Sequence, residues 1–272
     1  MEIANRVFVV TGGGNGIGRE VVLALLAHGG RVAALDLREE GLAETGRLAG
    51  AAVTGAGRLT THVVDVTDRA AVEALPQQIL AAHGQVDGVL NVAGIIQQFT
   101  PFADLSYEEI RRVMDVNFWG VVHVVKTFLP LLQARPAACI VDVSSMGGLA
   151  PVPGQTVYGA SKAAVKLLTE GLYAELRDTS VAVTVVFPGG VSTGITENSG
   201  VKVPGGDRSA ESSSMALTTP KDAAAQIVKG VEKGSYRVVI GKDARVLDGL
   251  SRLAPKRATD FVAAKMKSLL DS

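Results

Sequence analysis

Residues 11–18 read Thr11-Gly12-Gly13-Gly14-Asn15-Gly16-Ile17-Gly18. This glycine-rich stretch near the N-terminus is the strongest indication of the fold. It follows an apolar run over residues 6–11 and precedes a helical pattern that opens at Arg19. Glycines let the backbone turn sharply and approach a pyrophosphate closely, while a helix N-terminus offers unpaired N–H groups and the positive end of its dipole. The spacing is Gly12-x-x-x-Gly16-x-Gly18 rather than the more usual G-x-G-x-x-G. We therefore expect a phosphate-binding turn here, with a glycine-rich turn that binds no ligand as the alternative.

Short β-branched runs alternate with longer helical patterns along nearly the whole chain. The strand candidates are residues 6–11, 31–36, 59–64, 86–91, 137–144, 182–187 and 237–240, and the helical patterns span 16–28, 40–48, 69–83, 107–134, 156–178 and 221–233. Most strand candidates are continuously apolar, which is typical of strands buried on both faces of a parallel sheet. Right-handed crossovers place the helices on both faces. The sequence thus predicts an α/β fold with a seven-stranded parallel sheet.

Two segments interrupt this alternation. Residues 194–219 are rich in glycine and serine and are too long for a plain connection, so we expect a substrate lid there. After Gly241, apolar residues recur at helical spacing, among them Phe261, Met266 and Leu270. We expect one domain over residues 1–241 and a helical extension of it over 242–272, which packs over the pocket mouth or against a neighbouring subunit.

Composition and charge argue against several kinds of partner. The chain has 272 residues, and 27 basic residues balance 27 acidic ones, which disfavours binding to nucleic acid or to an anionic membrane surface. Neither a leader nor an apolar run of about 18 residues is evident, so we expect a cytoplasmic protein that does not enter a membrane. The single Cys139 and the four scattered histidines lack the spacing of metal ligands, and no metal site is predicted.

A carboxylate closes the second strand candidate. Asp36 lies 18 residues after Gly18, where an acidic side chain can accept hydrogen bonds from both hydroxyls of an adenosine ribose. The same carboxylate repels a 2′-phosphate, and Leu37 and Asn15 put no cation at the positions expected to hold one. The sequence therefore favours NAD over NADP, while the nearby basic residue Arg38 leaves dual use open.

A tyrosine and a lysine follow the fifth strand candidate. Tyr158 and Lys162 are four residues apart in a helical pattern, so they share one helix face. A phenol, with a pKa near 10, exchanges protons near neutral pH only if its phenolate is stabilised, and a nearby ammonium does this. Alone, such a pair is usually a surface pair. Here it follows the glycine loop, Asp36 and the strand-end pair Ser144-Ser145, and the combination favours a catalytic role.

Together these motifs resemble the short-chain dehydrogenase/reductase family over about residues 5–240. The stretches similar to the family's motifs are Thr11-Gly12-x-x-x-Gly16-Ile17-Gly18, Asn91-Val92-Ala93-Gly94, Asn117, Tyr158-x-x-x-Lys162 and Pro188-Gly189-Gly190-Val191-Ser192-Thr193, and Ser145 stands 13 residues before the tyrosine as in the family. The resemblance implies a single-domain Rossmann fold and an oxidoreductase that transfers hydride between NAD and a secondary alcohol or ketone. It also implies a homo-oligomer, either a tetramer or a dimer.

The resemblance also implies roles for individual residues. Tyr158 exchanges a proton with the substrate oxygen, and Ser145 holds that oxygen. Lys162 lowers the pKa of the tyrosine and binds the nicotinamide ribose, while Asn117 holds a water that extends the proton relay. With the residues derived above, the cofactor-binding set is Gly12, Asn15, Gly16, Ile17, Gly18, Asp36, Leu37, Asp65, Val66, Asn91, Ala93, Gly94, Tyr158, Lys162, Pro188, Gly189, Val191 and Thr193.

The candidate substrate residues are mostly apolar. They are Ile95, Gln97, Met146, Val152, Gln155 and Gly190. None carries a positive charge, which suits a neutral, hydrophobic secondary alcohol or its ketone better than a carboxylate. The chain departs from the family at Asp142, where asparagine is common and where we expect no effect on the chemistry. It departs again at Gly190, where a larger residue is common and where the glycine is expected to widen the pocket.

Two other functions stay open. A 3-oxoacyl-carrier-protein-type reductase has the same catalytic residues, but Asp36 disfavours NADPH and no basic patch for an acidic carrier is evident. A non-enzymatic dinucleotide sensor is possible because a fold does not fix a function. The presence of Ser145, Tyr158 and Lys162, which a sensor is free to lose, favours the enzyme.

Overall fold

Seven strands form one parallel sheet in the computed structural model, which describes residues 1–51, 53, 56–201 and 217–266. The strands are β1 (Val7–Thr11), β2 (Arg31–Asp36), β3 (Leu59–Val63), β4 (Gly88–Asn91), β5 (Ala138–Val143), β6 (Val181–Pro188) and β7 (Arg237–Ile240). Their order is β3-β2-β1-β4-β5-β6-β7, and every pair is parallel. The predicted seven-stranded parallel sheet is confirmed. The order reverses between β1 and β4, where ligands of open α/β sheets bind at the carboxyl ends of the strands.

Helices cover both faces of the sheet, as predicted. Their bounds are α1 (Gly16–Ala27), α2 (Glu39–Ala49), α3 (Arg69–His83), α4 (Tyr107–Met114), α5 (Gly120–Gln133), α6 (Thr156–Leu176), α7 (Ile195–Asn198), α8 (Pro220–Lys233), α9 (Lys242–Leu253) and α10 (Pro255–Met266). Alternate residues of β1 point to opposite faces. Phe8 packs in a core with Leu25 of α1 and Ile227 of α8, whereas Val9 packs in a second core with Ile79 of α3 and Phe128 of α5.

The predicted helical stretch over residues 107–134 is helical in the structure, but it is not one regular α-helix. A π-helical turn, Asp115–Trp119, separates α4 from α5. Such a turn inserts a residue into the helical ladder and changes the direction of the side chains that follow, often at a functional site. Asn117 lies in the middle of the turn and is fully buried.

The sheet edge and the C-terminal tail complete the fold. β3 is an edge strand, so its burial alternates instead of being continuous. After Gly241, α9 and α10 pack on each other and on the short 3-10 turn Met146–Gly148 through a small apolar cluster that includes Ala150, Leu247 and Val262. Phe261 remains about half exposed, and Leu270 lies outside the described residues. Among the helices of the described residues, none has the length and hydropathy of a membrane span.

Candidate active site

A cavity of about 540 Å³ opens at the carboxyl ends of the central strands. The predicted site residues that line it are Gly12, Asn15, Gly16, Ile17, Gly18, Asp36, Leu37, Asp65, Val66, Ala93, Gly94, Ile95, Ser145, Met146, Val152, Gln155, Tyr158, Lys162, Pro188, Gly189, Gly190, Val191 and Thr193. Three others, Asn91, Gln97 and Asn117, are buried behind its wall. Residues as far apart in the sequence as Gly12 and Thr193 thus meet at one crevice of a size typical of ligand sites.

The glycine loop forms a cradle that side chains would fill. A Cβ on Gly18 would lie 2.1 Å from the carbonyl oxygen of Gly12, and Gly12 itself has a φ of +70°, which favours glycine. Asn15 caps α1, because its side chain accepts a hydrogen bond of 2.6 Å from the Gly16 N–H. Gly16, Ile17 and Gly18 at the start of α1 line the cavity, which is where a pyrophosphate binds at a helix N-terminus.

Asp36 lies beside this cradle. One carboxylate oxygen accepts from the Gly14 N–H at 2.9 Å, and the other accepts from the Arg38 N–H at 3.0 Å. Each oxygen keeps a second lone pair, so the fixed carboxylate can still accept from a pair of ribose hydroxyls. The residues present fit an adenosine dinucleotide.

The start of the predicted lid crosses the cavity at the same point. The Asn198 side-chain oxygen, at the end of α7, accepts hydrogen bonds from the Arg38 guanidinium and from the Asn15 amide, the latter at 3.1 Å. Asn198 was not among the predicted residues, since its place opposite the glycine loop depends on the tertiary fold. Residues 202–216 of the predicted lid lie outside the described residues, and its closure stays a prediction.

Tyr158 and Ser145 lie together in the cavity wall. Ser145 lies two residues after the end of β5, and its hydroxyl accepts from the Gly147 N–H at 3.0 Å. Burial raises the pKa of Tyr158 above its ordinary value of 10, and a hydrogen bond with Ser145 offsets this in part. The sequence predicted that Lys162 lowers this pKa, but the burial of the phenol dominates here.

Lys162 reaches the floor of the cavity from α6. Its ammonium donates to the carbonyl oxygen of Val143 at 3.0 Å, and burial lowers its pKa to about 8, against the opposing effect of Asp142. A Cβ on Gly94 would lie 3.0 Å from Lys162 Nζ and 3.2 Å from Asn117 Oδ1. Glycine therefore keeps open the space beside the ammonium, where a nicotinamide ribose is expected.

The family follows from a comparison with known proteins. The short chain dehydrogenase family model matches residues 6–203, which is well over half of the chain. The chain belongs to the short-chain dehydrogenase/reductase family. This dehydrogenase is 40% identical over 266 residues to a Mycobacterium tuberculosis protein designated as the oxidoreductase SadH, covering 95% of this chain and 94% of that protein.

Two further comparisons extend the match. A 2,5-dichloro-2,5-cyclohexadiene-1,4-diol dehydrogenase of Sphingobium indicum is 34% identical over 195 residues, covering 71% of this chain and 75% of that one. A solved structure of a Burkholderia phymatum family member in complex with NAD has a TM-score of 0.81 and 26% identity, covering 94% of this chain and 95% of that chain. The short-chain dehydrogenase is thus an oxidoreductase of a family that binds a nicotinamide dinucleotide.

Two predicted residues of the dehydrogenase act from behind the cavity wall. Asn117 accepts from the Ile95 N–H and donates to the Ile95 carbonyl, both at 2.9 Å, so it fixes the backbone that leaves β4. The Asn91 amide donates to the carboxylate of Asp142 at 2.7 Å. Both therefore position the site of the dehydrogenase, and neither lines the cavity.

The prediction that Gln97 contacts substrate is not supported. Its side-chain oxygen accepts from the N–H groups of Val157 (2.8 Å) and Tyr158 (3.0 Å), and its amide donates to the Gly154 carbonyl at 2.9 Å. The side chain is fully buried and satisfies N–H groups at the start of α6, which have no partner within the helix. Gln97 therefore holds the start of α6, the helix that carries Tyr158, and Gln155 is the amide that lines the cavity.

Asp243, in the first turn of α9, was not among the predicted site residues. Its carboxylate accepts from the Gly190 N–H at 2.6 Å, and a Cβ on Gly189 would lie 2.2 Å from it. The C-terminal extension of the dehydrogenase thus holds the segment that follows β6 against the cavity. A local sequence pattern could not reveal this contact, because Gly190 and Asp243 are 53 residues apart.

The cavity wall beside Tyr158 is apolar. It includes Phe99, Met146, Val152 and, from the end of α10, Met266. The predicted tail residue Met266 therefore reaches the cavity. The remaining predicted substrate residues on this side of the dehydrogenase, Ile95 and Gly190, also line it.

Proposed function

We propose that this enzyme is an NAD-dependent short-chain alcohol dehydrogenase, or ketone reductase, for neutral hydrophobic secondary alcohols and their ketones. One observation carries the proposal. Tyr158 and Ser145 are hydrogen-bonded to each other and line the same cavity as an apolar wall and the glycine loop with Asp36 beside it. A proton donor for the substrate oxygen and a dinucleotide site thus share one cavity.

The residues of the chain divide the work as follows. A bound nicotinamide dinucleotide supplies the hydride donor or acceptor. Ser145 donates a hydrogen bond to the substrate oxygen and fixes its position. Tyr158 gives its proton to that oxygen in reduction and takes it back in oxidation. Lys162 binds the nicotinamide ribose and stabilises the phenolate of Tyr158 when it forms.

The choice of NAD rests on the end of β2. Asp36 is fixed by two backbone N–H groups, so its charge stays where a 2′-phosphate would come. Leu37 supplies no cation, and the Arg38 guanidinium bonds to Asn198. These contacts favour a cofactor with a free ribose 2′-hydroxyl.

The substrate class rests on the apolar wall. Among the described residues on this side of the cavity, Phe99, Met146, Val152 and Met266 carry no charge, which favours burial of a neutral ring or chain. The similarity to a cyclohexadienediol dehydrogenase supports a ring alcohol as one such substrate.

The test is a panel of alcohols assayed by the formation of NADH. Neutral ring and aryl secondary alcohols should react with NAD, and Tyr158→Phe should abolish the signal. Carboxylated alcohols of the same size are the matched control and should react poorly. Preferred turnover of 3-oxoacyl thioesters with NADPH would support the carrier-linked reductase instead, and NADH binding without turnover of any substrate class would support the sensor.

A cytoplasmic homo-oligomer belongs to the same proposal. Trp119 and Leu167, on neighbouring helical segments, are both exposed, which is typical of a surface that another subunit covers. Light scattering should give two or four times the 28.2 kDa of one chain, and a mass of one chain would contradict the prediction.

A further inference from the structure

A second carboxylate lies beneath the catalytic residues. Asp142 of β5 is fully buried, and its two oxygens accept hydrogen bonds from the Asn91 amide at 2.7 Å and the Thr169 hydroxyl at 2.9 Å. Both partners are neutral. A carboxylate removed from water and held only by neutral donors is costly, and it acts strongly on any charge nearby.

The nearest functional charge is Lys162. Its ammonium donates to the carbonyl of Val143, the residue next to Asp142, and Thr169 belongs to the same helix, two turns further on. Ser144 ties the strand to this helix, because its hydroxyl donates to the Lys162 carbonyl at 2.7 Å. Strand β5 and helix α6 therefore hold two opposite buried charges close together below the cavity.

Each charge favours the other. Asp142 raises the pKa of Lys162, and Lys162 lowers the pKa of Asp142, but burial outweighs both effects and brings the two pKa values to about 8 and about 6. Between these values both groups are charged. The other side chains bonded to the pair among the described residues, Asn91, Thr169 and Ser144, are neutral.

The next two charged residues of α6 after Lys162 pair with other groups. Lys166, one turn beyond Lys162, pairs with Glu170 at 2.8 Å, and Glu170 also faces Arg237 of β7. The groups that face Lys162 from the π-helical turn and from the end of β4 are the neutral Asn117 and Gly94.

We propose that Asp142 is a positioning residue for the reaction, whose buried carboxylate keeps Lys162 protonated and in place beside Tyr158. This proposal rests on the proposed function for the roles of Tyr158 and Lys162. It replaces the expectation that Asp142 leaves the chemistry unaffected. Asp142 touches neither substrate nor cofactor and acts only through the lysine.

The proposal predicts the sign of a pH shift. Tyr158 and Lys162 together lose one proton when the phenolate forms, and a negative charge nearby opposes that loss. Without the carboxylate, the proton leaves at lower pH. Because Asp142 acts on Lys162, the proton then leaves the lysine rather than the tyrosine, and less phenolate forms. We expect the pH limb of alcohol oxidation to move down by about one unit and kcat at its plateau to fall about tenfold.

The test variant is Asp142→Asn, which has the same shape and can bond to the same two partners. The control is Asp87→Asn, since Asp87 is an equally buried carboxylate at the other end of the sheet that binds Arg6 and Arg135. The control should lose stability without any shift of the pH limb. An unchanged pH limb and kcat in Asp142→Asn, or an equal shift in Asp87→Asn, would overturn the proposal.

A second measurement does not depend on activity. In protein labelled with ¹³C at lysine Cε, the Lys162 signal is assigned by its loss in Lys162→Met. Its pKa should fall by about one unit in Asp142→Asn. In the wild type the same signal should also report the ionisation of Asp142 near pH 6. This measurement uses the wild-type protein and does not require the Asp142→Asn variant to fold. An unchanged lysine pKa with no second step refutes the proposal even if the protein proves inactive, whereas a shifted pKa without turnover refutes the proposed function alone.

Discussion

Replacement of Asp243 by alanine should weaken cofactor binding, although this residue lies outside the segment matched by the family model. Its carboxylate holds the Gly190 N–H at 2.6 Å, in the segment where Pro188, Gly189 and Val191 line the cavity. Without the carboxylate, the segment after β6 loses one of its anchors and must be ordered when the nicotinamide binds.

The magnitude follows from the bond that is lost. A hydrogen bond to a charged acceptor contributes about 1.5–3 kcal/mol, and this one is only partly buried, which places it at the low end. A loss of ~1.5–2 kcal/mol corresponds to an increase of about 10- to 30-fold in the Kd for NADH. Asp243→Asn keeps an oxygen acceptor without the charge, so we expect a Kd increase of only about fivefold.

The assay is a fluorescence titration with NADH, read beside urea unfolding. The matched control is Asp248→Asn on the same helix, because Asp248 binds Arg237 and Arg252 and does not face the cavity. The control should lower the free energy of unfolding while the Kd stays unchanged. A wild-type Kd in Asp243→Ala, or an equal loss of affinity in the control, would refute the reasoning.

Three other perturbations test separate parts of the account. The pair Asp36→Ala and Leu37→Arg should shift the preference toward NADPH in kcat/KM, since it removes a repelling carboxylate and adds a phosphate partner; greater use of NADPH by the wild type would contradict this. Gly94→Ala should weaken NADH binding, because its Cβ would lie 3.0 Å from Lys162 Nζ, and unchanged affinity would count against the assigned ribose position. Burial lowers the pKa of His83 to about 4, whereas the unfolded chain takes up a proton near pH 6.5, so stability should fall as pH drops from 6.5 to 4. This loss amounts to about 3 kcal/mol, and urea unfolding of His83→Gln should show a correspondingly smaller pH dependence.

The sequence predicted the strands well because burial on both faces leaves continuous apolar runs. β2 and β7 begin and end where expected, and β4 starts two residues late, at Gly88. The π-helical turn was missed because α5 is apolar along most of its length, which hides the change of phase that one inserted residue causes in the helical pattern. The turn is recognised from the position of Asn117 in the structure, and a sequence pattern does not give that position.

The residues of the candidate site also fall into two groups, those that a local motif reveals and those that depend on the tertiary fold. Residues in local motifs, such as the glycine loop and the Tyr158–Lys162 pair, were predicted from spacing, since neighbours in sequence are neighbours in the cradle and on the helix face. Gln97 was misassigned because composition does not distinguish an amide that faces a ligand from one that bonds to a helix start. Asp243 was missed because it meets the cavity only through the packing of α9.

The central claim is that Tyr158 exchanges the proton with the substrate oxygen, and Tyr158→Phe tests it most directly. The kcat and the NADH Kd of this variant are measured together on the best alcohol of the panel. We expect kcat to fall by at least about 10³-fold, within the range for loss of a general acid–base group, with a nearly unchanged Kd because the phenol acts on the substrate. Near-wild-type turnover by Tyr158→Phe would contradict the account and place the proton donor elsewhere in the cavity.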